Sequence, residues 1–176
     1  MDETIKYVSK MDLADFRGIM ESYGQDIWNY AYFLTGKSDV ADDISQETFI
    51  RAYRSLNTFR GNSSLKTWLL KIAHNLTYDY RKKSFFKRIV LMEVVNKIGT
   101  SPSAEKEYFS EKTVDDIWSI VQTLPLKLRE VLLLDVVHYM KLQEISEFLD
   151  IPLGTVKSRL HRARIIVAKQ LELEDR

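Results

Sequence analysis

The sequence predicts an all-α fold of two small helical domains joined by a linker, with a helix-turn-helix in the C-terminal domain. Apolar residues recur at intervals of three and four along nearly the whole chain. No convincing alternation of apolar and polar residues and no two-residue hairpin signal interrupt this pattern. Residues 99–107 are small, polar or Gly/Pro, which is typical of a linker. We therefore predict domains at 1–89 and 112–176, joined by a linker at 90–111.

Three helices account for the N-terminal domain. Apolar spacing predicts the first from Leu13 to Leu34, the second over 39–56 and the third from Leu65 to about Tyr80. Gly36 suits the end of the first helix, and Ser38 or Asp39 is a cap for the second. Ser63 or Ser64 is a cap for the third.

Four helices account for the C-terminal domain. One contains Val114 to Leu124 and stops before Pro125, and a longer one runs from about Leu126 to Tyr139. A short helix at 142–149, a turn with Pro152 and Gly154, and a last helix continuing towards Leu171 have the shape of a helix-turn-helix.

Composition excludes several classes of protein and site. The 176 residues carry a net charge of +1, no cysteine and three scattered histidines, so we expect no disulfide, no metal site and no cofactor. No apolar run is long enough to span a bilayer, and the N-terminus lacks a signal-peptide pattern. We expect a cytoplasmic protein.

Charge is segregated along the chain. Residues 61–90 carry seven basic and one acidic side chain, and residues 151–176 carry six and three. Residues 1–60 and 91–150 are both acidic on balance. Two basic blocks in a nearly neutral chain indicate contact with a polyanion, although solvated helix surfaces are the alternative interpretation.

The last helix divides into a buried stripe and a cationic face. Val156, Leu160, Ala163 and Val167 form the stripe. The opposite face carries Ser158, His161, Arg162 and Ile165, flanked by Lys157 and Arg159. A turn that sets such a helix at an angle lets its N-terminal end enter a DNA major groove, where these side chains bind phosphates or base edges.

The third helix mixes aromatic and cationic residues. This composition suits single-stranded nucleic acid, because bases stack on rings while cations hold phosphates. The outward-facing residues are predicted to be Lys71, His74, Asn75, Tyr78, Arg81 and Lys82. The preceding loop, Gly61, Asn62, Ser63, Ser64 and Leu65, is predicted to form a small polar pocket that holds one unstacked base.

The second helix carries a polar stripe with one apolar residue in it. The stripe consists of Asp43, Gln46, Glu47, Ile50 and Arg54. It is either a solvated face or a docking surface for a basic partner, and Ile50 favours docking because it is an apolar anchor within a polar rim.

Two stretches of the chain resemble the two conserved domains of bacterial RNA polymerase sigma factors, specifically the short extracytoplasmic-function (ECF) group. They are TGKSDVADDISQETFIRAYRSLNTFRGNSSLKTWLLKIAHNLTYDYRKK and LPLKLREVLLLDVVHYMKLQEISEFLDIPLGTVKSRLHRAR. The resemblance covers residues 10–83 and 112–170. It implies an alternative sigma factor, not an enzyme, that directs core RNA polymerase to promoters and assists their melting.

The resemblance also implies a role for each surface. The stripe of Asp43, Gln46, Glu47, Ile50 and Arg54 would dock on the clamp helices of the largest polymerase subunit. The loop 61–65 and the helix around Asn75 and Tyr78 would capture the non-template strand of the minus-ten element. The minus-thirty-five duplex would be read by Thr155, Lys157, Ser158, Arg159, His161 and Arg162. Sigma factors of this group are usually held by an anti-sigma protein, often membrane-anchored.

Two residues depart from the family pattern, and two other classes of function remain open. Lys141 stands where a Ser or Thr helix cap is usual, and Asp150 stands where Gly often ends a helix.

A plain DNA-binding regulator would explain the helix-turn-helix but not the polar stripe or the first basic block. An enzyme is a weaker alternative, because the sequence contains no nucleophile–base pair and no Gly-rich phosphate loop.

Overall fold

Helices make up the regular structure of the protein. A computed structural model describes the backbone of residues 13–98 and 114–174, and the side chains of residues 16–85 and 117–173. These ranges contain seven α-helices, one short 3-10 helix (Leu56–Thr58) and no strand, which confirms the all-α fold class. The helices are α1 (Leu13–Thr35), α2 (Ser38–Ser55), α3 (Leu65–Ile98), α4 (Val114–Thr123), α5 (Leu126–Val136), α6 (Leu142–Leu149) and α7 (Leu153–Glu174).

Helices α1, α2 and α3 pack against one another around an apolar core. The core residues include Ile27, Ala31 and Leu34 of α1, Ala41, Ile44 and Ala52 of α2, and Leu69, Leu70 and Ala73 of α3. Gly36 adopts a positive φ of 72° and its N–H bonds to the carbonyl of Tyr32, which ends α1 as expected. Ser64 caps α3 by accepting a hydrogen bond from the N–H of Thr67 at 3.0 Å.

Helices α4 to α7 form a second group, in which α7 packs against each of the other three. Its core contains Val121, Leu124, Val131, Leu133, Leu134, Ile145, Val156, Leu160 and Ala163. An ion pair between Arg164 and Asp135 at 2.8 Å joins α7 to α5 at the surface. The helix-turn-helix is thus held by apolar contacts on its inner side.

Three helix ends differ from the prediction. Helix α2 has Lys37 at its cap position and no side-chain cap, so neither Ser38 nor Asp39 caps it. Helix α5 ends at Val136 instead of about Tyr139, because Tyr139 lies in the left-handed region at φ 54°. Helix α3 continues to Ile98, so residues 90–98 of the predicted linker are helical. Residues 99–111 of that linker lie outside the described residues, and the domain boundaries stay a prediction.

Candidate nucleic-acid interfaces

The turn between α6 and α7 has a fixed geometry. Asp150 is left-handed, at φ 52° and ψ 51°, as its place at the end of α6 requires. The Ser146 hydroxyl donates to the carbonyl of Ile151 at 2.6 Å, and the Thr155 N–H bonds to the carbonyl of Pro152 at 2.8 Å. Local hydrogen bonds at both ends of the turn therefore hold α7 at a set angle to α6.

Helix α7 presents the predicted polar residues on its outer side. Lys157, Ser158, His161 and Arg162 are exposed, while Thr155 and Arg159 are half-buried. The Ser158 hydroxyl donates to the Thr155 carbonyl at 3.0 Å, and the exposed Ser158 oxygen can still accept a hydrogen bond. The buried side chains Val156, Leu160 and Ala163 fix the helix from the other side. This arrangement fits insertion of the helix into a major groove.

The N-terminus of α6 lacks a side-chain cap, as the sequence predicted. Lys141 occupies the cap position, and its backbone N–H donates to the Glu144 carboxylate at 2.7 Å. Glu144 thus supplies one half of a capping box, and the Lys141 side chain supplies no acceptor for the other half.

The loop before α3 is exposed to solvent. Gly61, Asn62, Ser63 and Ser64 are exposed and Leu65 is half-buried. Gly61 adopts φ 69°, a backbone conformation that favours glycine. The loop is therefore a sharp, polar turn whose geometry is set by Gly61 and by the cap at Ser64.

The six predicted residues of α3 do not share one environment. Asn75, Tyr78 and Lys82 are exposed, whereas Lys71, His74 and Arg81 are half-buried. Arg81 donates to the Leu34 carbonyl near the end of α1 at 2.6 Å. Lys71 donates to the carbonyl of Phe148 on α6 and lies 5.1 Å from the centre of that ring. The expected outward orientation is thus wrong for Lys71 and His74, because α5 and α6 pack against them.

A buried carboxylate on α5 is the centre of the contact between the two groups of helices. Glu130 is 2% exposed. Its Oε1 accepts a hydrogen bond from the Tyr30 hydroxyl at 2.7 Å and lies 2.8 Å from Nδ1 of His74. Its Oε2 accepts a hydrogen bond from the Tyr78 hydroxyl at 2.6 Å. We call Glu130, Tyr30, His74 and Tyr78 the Glu130 cluster.

The cluster keeps Glu130 ionised and its tyrosines neutral. Burial alone would raise the pKa of Glu130, but the hydrogen bonds from His74, Tyr78 and Tyr30 outweigh burial and lower that pKa. Burial and the negative charge of Glu130 raise the pKa of Tyr30 and of Tyr78. The charges of Arg81 and Arg159 lower the pKa of Tyr78 and so oppose this rise. Because Arg159 belongs to α7, the cationic face of α7 lies within electrostatic reach of α3.

Further contacts surround the cluster. Arg129 donates to the carbonyl of Phe33 at 2.9 Å and to the side chain of Gln122 at 2.8 Å. Burial, followed by the charge of Arg81, lowers the pKa of Arg129 to about 10. The rings of Phe33 and Trp118 stack with centroids 4.2 Å apart.

The imidazole of His138 is buried in the same interface. It lies 3.8 Å from the carboxylate of Asp26, which pairs with Lys66 at 2.9 Å. Burial, followed by the charge of Lys66, lowers its pKa to about 4 although Asp26 acts in the opposite direction. The imidazole is therefore neutral at pH 7.

The stripe on α2 faces solvent. Asp43, Gln46, Ile50 and Arg54 are exposed, and Glu47 is half-buried. Ile50 is 45% exposed, a large apolar side chain in the middle of polar neighbours. Glu47 pairs with Arg51 at 2.7 Å, one turn along the helix. The geometry agrees with a docking surface that has one apolar anchor.

Sequence reasoning missed Glu130 and Arg129. Their neighbours in LREVLLL are apolar, and a charged pair within such a run signals that the charges have buried partners. The partners lie 52 to 100 residues away for Glu130, so the sequence pattern did not identify them.

Within residues 13–98 and 114–174, no group of three His, Asp or Glu side chains is arranged to hold a metal ion. No helix in the same ranges is long and apolar enough to cross a membrane.

Comparison with known proteins identifies the family. Sigma-70 region 2 matches residues 19–84, and sigma-70 region 4 matches residues 115–165. The ECF RNA polymerase sigma factor SigW of Bacillus subtilis is 36% identical over 95% of this chain and 94% of its own. Two solved structures share the fold. The sigma factor RpoE in complex with the anti-sigma factor NepR from Bartonella quintana has a TM-score of 0.73, 23% identity and coverage of 91% and 98%. CnrH in complex with the cytosolic domain of CnrY has a TM-score of 0.68, 21% identity and coverage of 96% and 95%.

The two sigma-70 regions match in the order that the sequence predicted. SigW is 36% identical along almost the whole chain. Both findings agree with the resemblance seen in the sequence. The chain belongs to the ECF sigma factors of bacterial RNA polymerase, and it is an alternative sigma factor that directs promoter-specific transcription.

Proposed function

We propose that three separate surfaces carry this function. The exposed stripe of α2 docks on the clamp helices of the largest polymerase subunit. The loop 61–65 and α3 capture the single-stranded minus-ten element and so assist promoter melting. The outer face of α7 reads the minus-thirty-five duplex. We further propose that the protein is not an enzyme, acts in the cytoplasm and is held by an anti-sigma factor.

The observation that carries the proposal is the placement of cations on the two DNA-binding surfaces and of carboxylates on the third. On α7, Lys157 and Arg162 are exposed beside Ser158, so charge is combined with a hydrogen-bonding group. On α2, Asp43 and Glu47 flank Ile50. Carboxylates repel phosphates, so the α2 surface suits a protein partner better than DNA.

Support for an anti-sigma partner comes from the structural neighbours. RpoE was solved in complex with the anti-sigma factor NepR, and CnrH in complex with the cytosolic domain of CnrY. Both neighbours share the fold of this chain over more than nine-tenths of its length. The partner in the second complex is described as a cytosolic domain, which is consistent with a membrane-anchored partner for this chain.

The test is transcription reconstituted with bare core polymerase on a genomic DNA library. We expect the wild-type protein to start RNA synthesis at defined sites. Asp43→Arg should abolish both this activity and co-purification with core polymerase, because it places a cation in the docking stripe. Glu21→Arg, an exposed charge reversal on α1, is the matched control and should behave as the wild type. Unchanged polymerase binding by Asp43→Arg would reject the docking surface. Tight, sequence-specific promoter binding without polymerase would favour the DNA-binding regulator.

A further inference from the structure

We infer that Ile165 is a specificity-determining residue, which recognises the C5-methyl group of a thymine in the upstream promoter element. This inference deepens the proposed function and rests on it, because it concerns the outer face of α7 that is assigned to the minus-thirty-five duplex. It adds an apolar contact to a surface whose proposed contacts are charged or polar.

Ile165 is an exposed apolar residue on a face whose neighbouring members are polar. Its side chain is 52% exposed. Helical periodicity places it within one turn of His161 and Arg162, and it points away from the side of α7 that buries Leu160. Packing of the core therefore does not account for an isoleucine at this position, and its side chain is available to a partner of the outer face.

The charge of the surrounding surface indicates that this partner is DNA. Helix α7 contains no carboxylate between Leu153 and Leu171. Lys157 and Arg162 are exposed within that range. A cationic surface without carboxylates attracts phosphates, so Ile165 lies within a region whose electrostatic potential suits a duplex.

The length of α7 separates Ile165 from the other residues proposed to read bases. Ile165 follows Arg162 by three residues and Ser158 by seven, which corresponds to a rise of about 4.5 Å and about 10.5 Å along the helix axis. Base pairs are stacked about 3.4 Å apart. A helix that lies along the major groove therefore brings Ile165 over a base pair about one step beyond that of Arg162.

Thymine is the base that an isoleucine side chain distinguishes from cytosine most directly. In the major groove thymine presents a C5-methyl group, whereas cytosine presents an N4 amino donor. Ile165 makes an apolar contact with the methyl group, but it offers no acceptor to the amino group, and an unsatisfied donor costs free energy. Isoleucine is also β-branched and has one preferred rotamer in a helix, so the contact loses little side-chain entropy.

Deoxyuridine tests the methyl group alone, because it pairs with adenine as thymine does and lacks only the C5-methyl group. The DNA is a promoter recovered in the reconstituted transcription, made as duplexes in which each thymine of the upstream element is replaced singly by deoxyuridine. Binding of each duplex is measured with holoenzyme assembled from core polymerase and the full-length chain. The variants are Ile165→Ala and the conservative Ile165→Val. Ile117→Ala is the matched control, because Ile117 is 48% exposed and belongs to α4.

At one thymine, the wild-type holoenzyme should bind the deoxyuridine duplex about fourfold more weakly than the unmodified duplex. This factor corresponds to about 0.8 kcal/mol, the free energy of burying one methylene-sized group. Ile165→Ala should bind the unmodified duplex more weakly than the wild type and should not distinguish the two duplexes. Ile165→Val should retain part of the discrimination and Ile117→Ala all of it. Circular dichroism checks that each variant retains its helix content.

The inference is overturned if no thymine of the upstream element is sensitive to loss of its methyl group, or if the sensitivity persists in Ile165→Ala. Equal weakening of every duplex by Ile165→Ala, with a lower yield of holoenzyme, would also overturn it, because Ile165 would then contact protein. Failure of the proposed function is a different result. If Ser158→Ala and Arg162→Ala both bind every duplex as the wild type does, α7 is not the helix that reads the upstream element.

Discussion

Lowering the pH from 7 to 5 should destabilise the protein by about 2 kcal/mol through His138 alone. The folded state holds the pKa of His138 at about 4, against an ordinary value of 6.5. At pH 5 the unfolded chain therefore binds nearly one proton that the folded chain does not bind. Because the unfolded state binds more protons, stability falls as pH falls through this window, and the difference between pH 7 and pH 5 is about 2 kcal/mol.

The groups around the imidazole explain why it stays neutral. Its side chain is fully buried, and Asp26 lies 3.8 Å away but is already paired with Lys66. Within the described residues, neither ring nitrogen has a hydrogen-bond partner. Charging the ring would place a cation in a site with one shared counter-ion, so opening or unfolding is favoured instead.

The assay is urea unfolding at pH 7 and pH 5, followed by circular dichroism, for the wild type and for His138→Met. Methionine has a side chain of similar size that does not titrate. The wild type should lose about 2 kcal/mol more than the variant between the two pH values. An NMR titration of the His138 imidazole gives an independent check. Equal losses in both proteins, or a midpoint near 6.5 in the folded wild type, would refute the buried neutral imidazole.

Three other predictions concern single side chains. Tyr78→Ala should slow promoter opening by about tenfold, because a base stack contributes roughly 1–3 kcal/mol, while Tyr78→Phe should keep most of the opening rate. Stopped-flow measurement on a promoter fragment separates opening from initial binding, and a larger effect on binding would contradict strand capture. Arg162→Ala should weaken promoter binding by polymerase by about 1–3 kcal/mol and relax the preference at one upstream base pair. The control variant Lys169→Ala should do neither. An equal loss on every sequence in a binding-selection assay would indicate that Arg162 contacts a phosphate instead of a base. Tyr139→Gly should raise the free energy of unfolding in urea by about 1 kcal/mol, because Tyr139 is 84% exposed and has a left-handed backbone. A lower urea midpoint for the variant would show instead that the Tyr139 ring makes a stabilising contact.

Local signals predicted most of the helices. Apolar residues follow helical spacing on α1, α2 and α7, and Ile27, Ile44 and Leu160 are buried as expected. Val167, the last residue of the predicted α7 stripe, is only half-buried. Gly36 and Ser64 act at the helix ends where their chemistry predicts. Such features depend on residues a few positions apart, which a sequence displays directly.

Long-range features escaped prediction for a physical reason. The extension of α3 to Ile98 was missed because its last turns are apolar on too many sides for one clear stripe. The burial of Lys71 and His74 depends on α5 and α6, whose approach no local pattern encodes. The proposed roles of the α7 and α2 surfaces came from charge and family resemblance, and they stay predictions until the variants are tested.

Glu130 joins the two groups of helices and is buried. The contact between these groups should therefore depend less on ionic strength than the contact between the protein and DNA does. Mobile ions screen a carboxylate poorly when it is out of reach of solvent. Exposed lysines and arginines release counter-ions from phosphates when they bind, and that gain shrinks steeply as salt concentration rises. Added salt should therefore leave the contact between the two groups of helices intact while it weakens the binding of the exposed cationic surfaces to DNA.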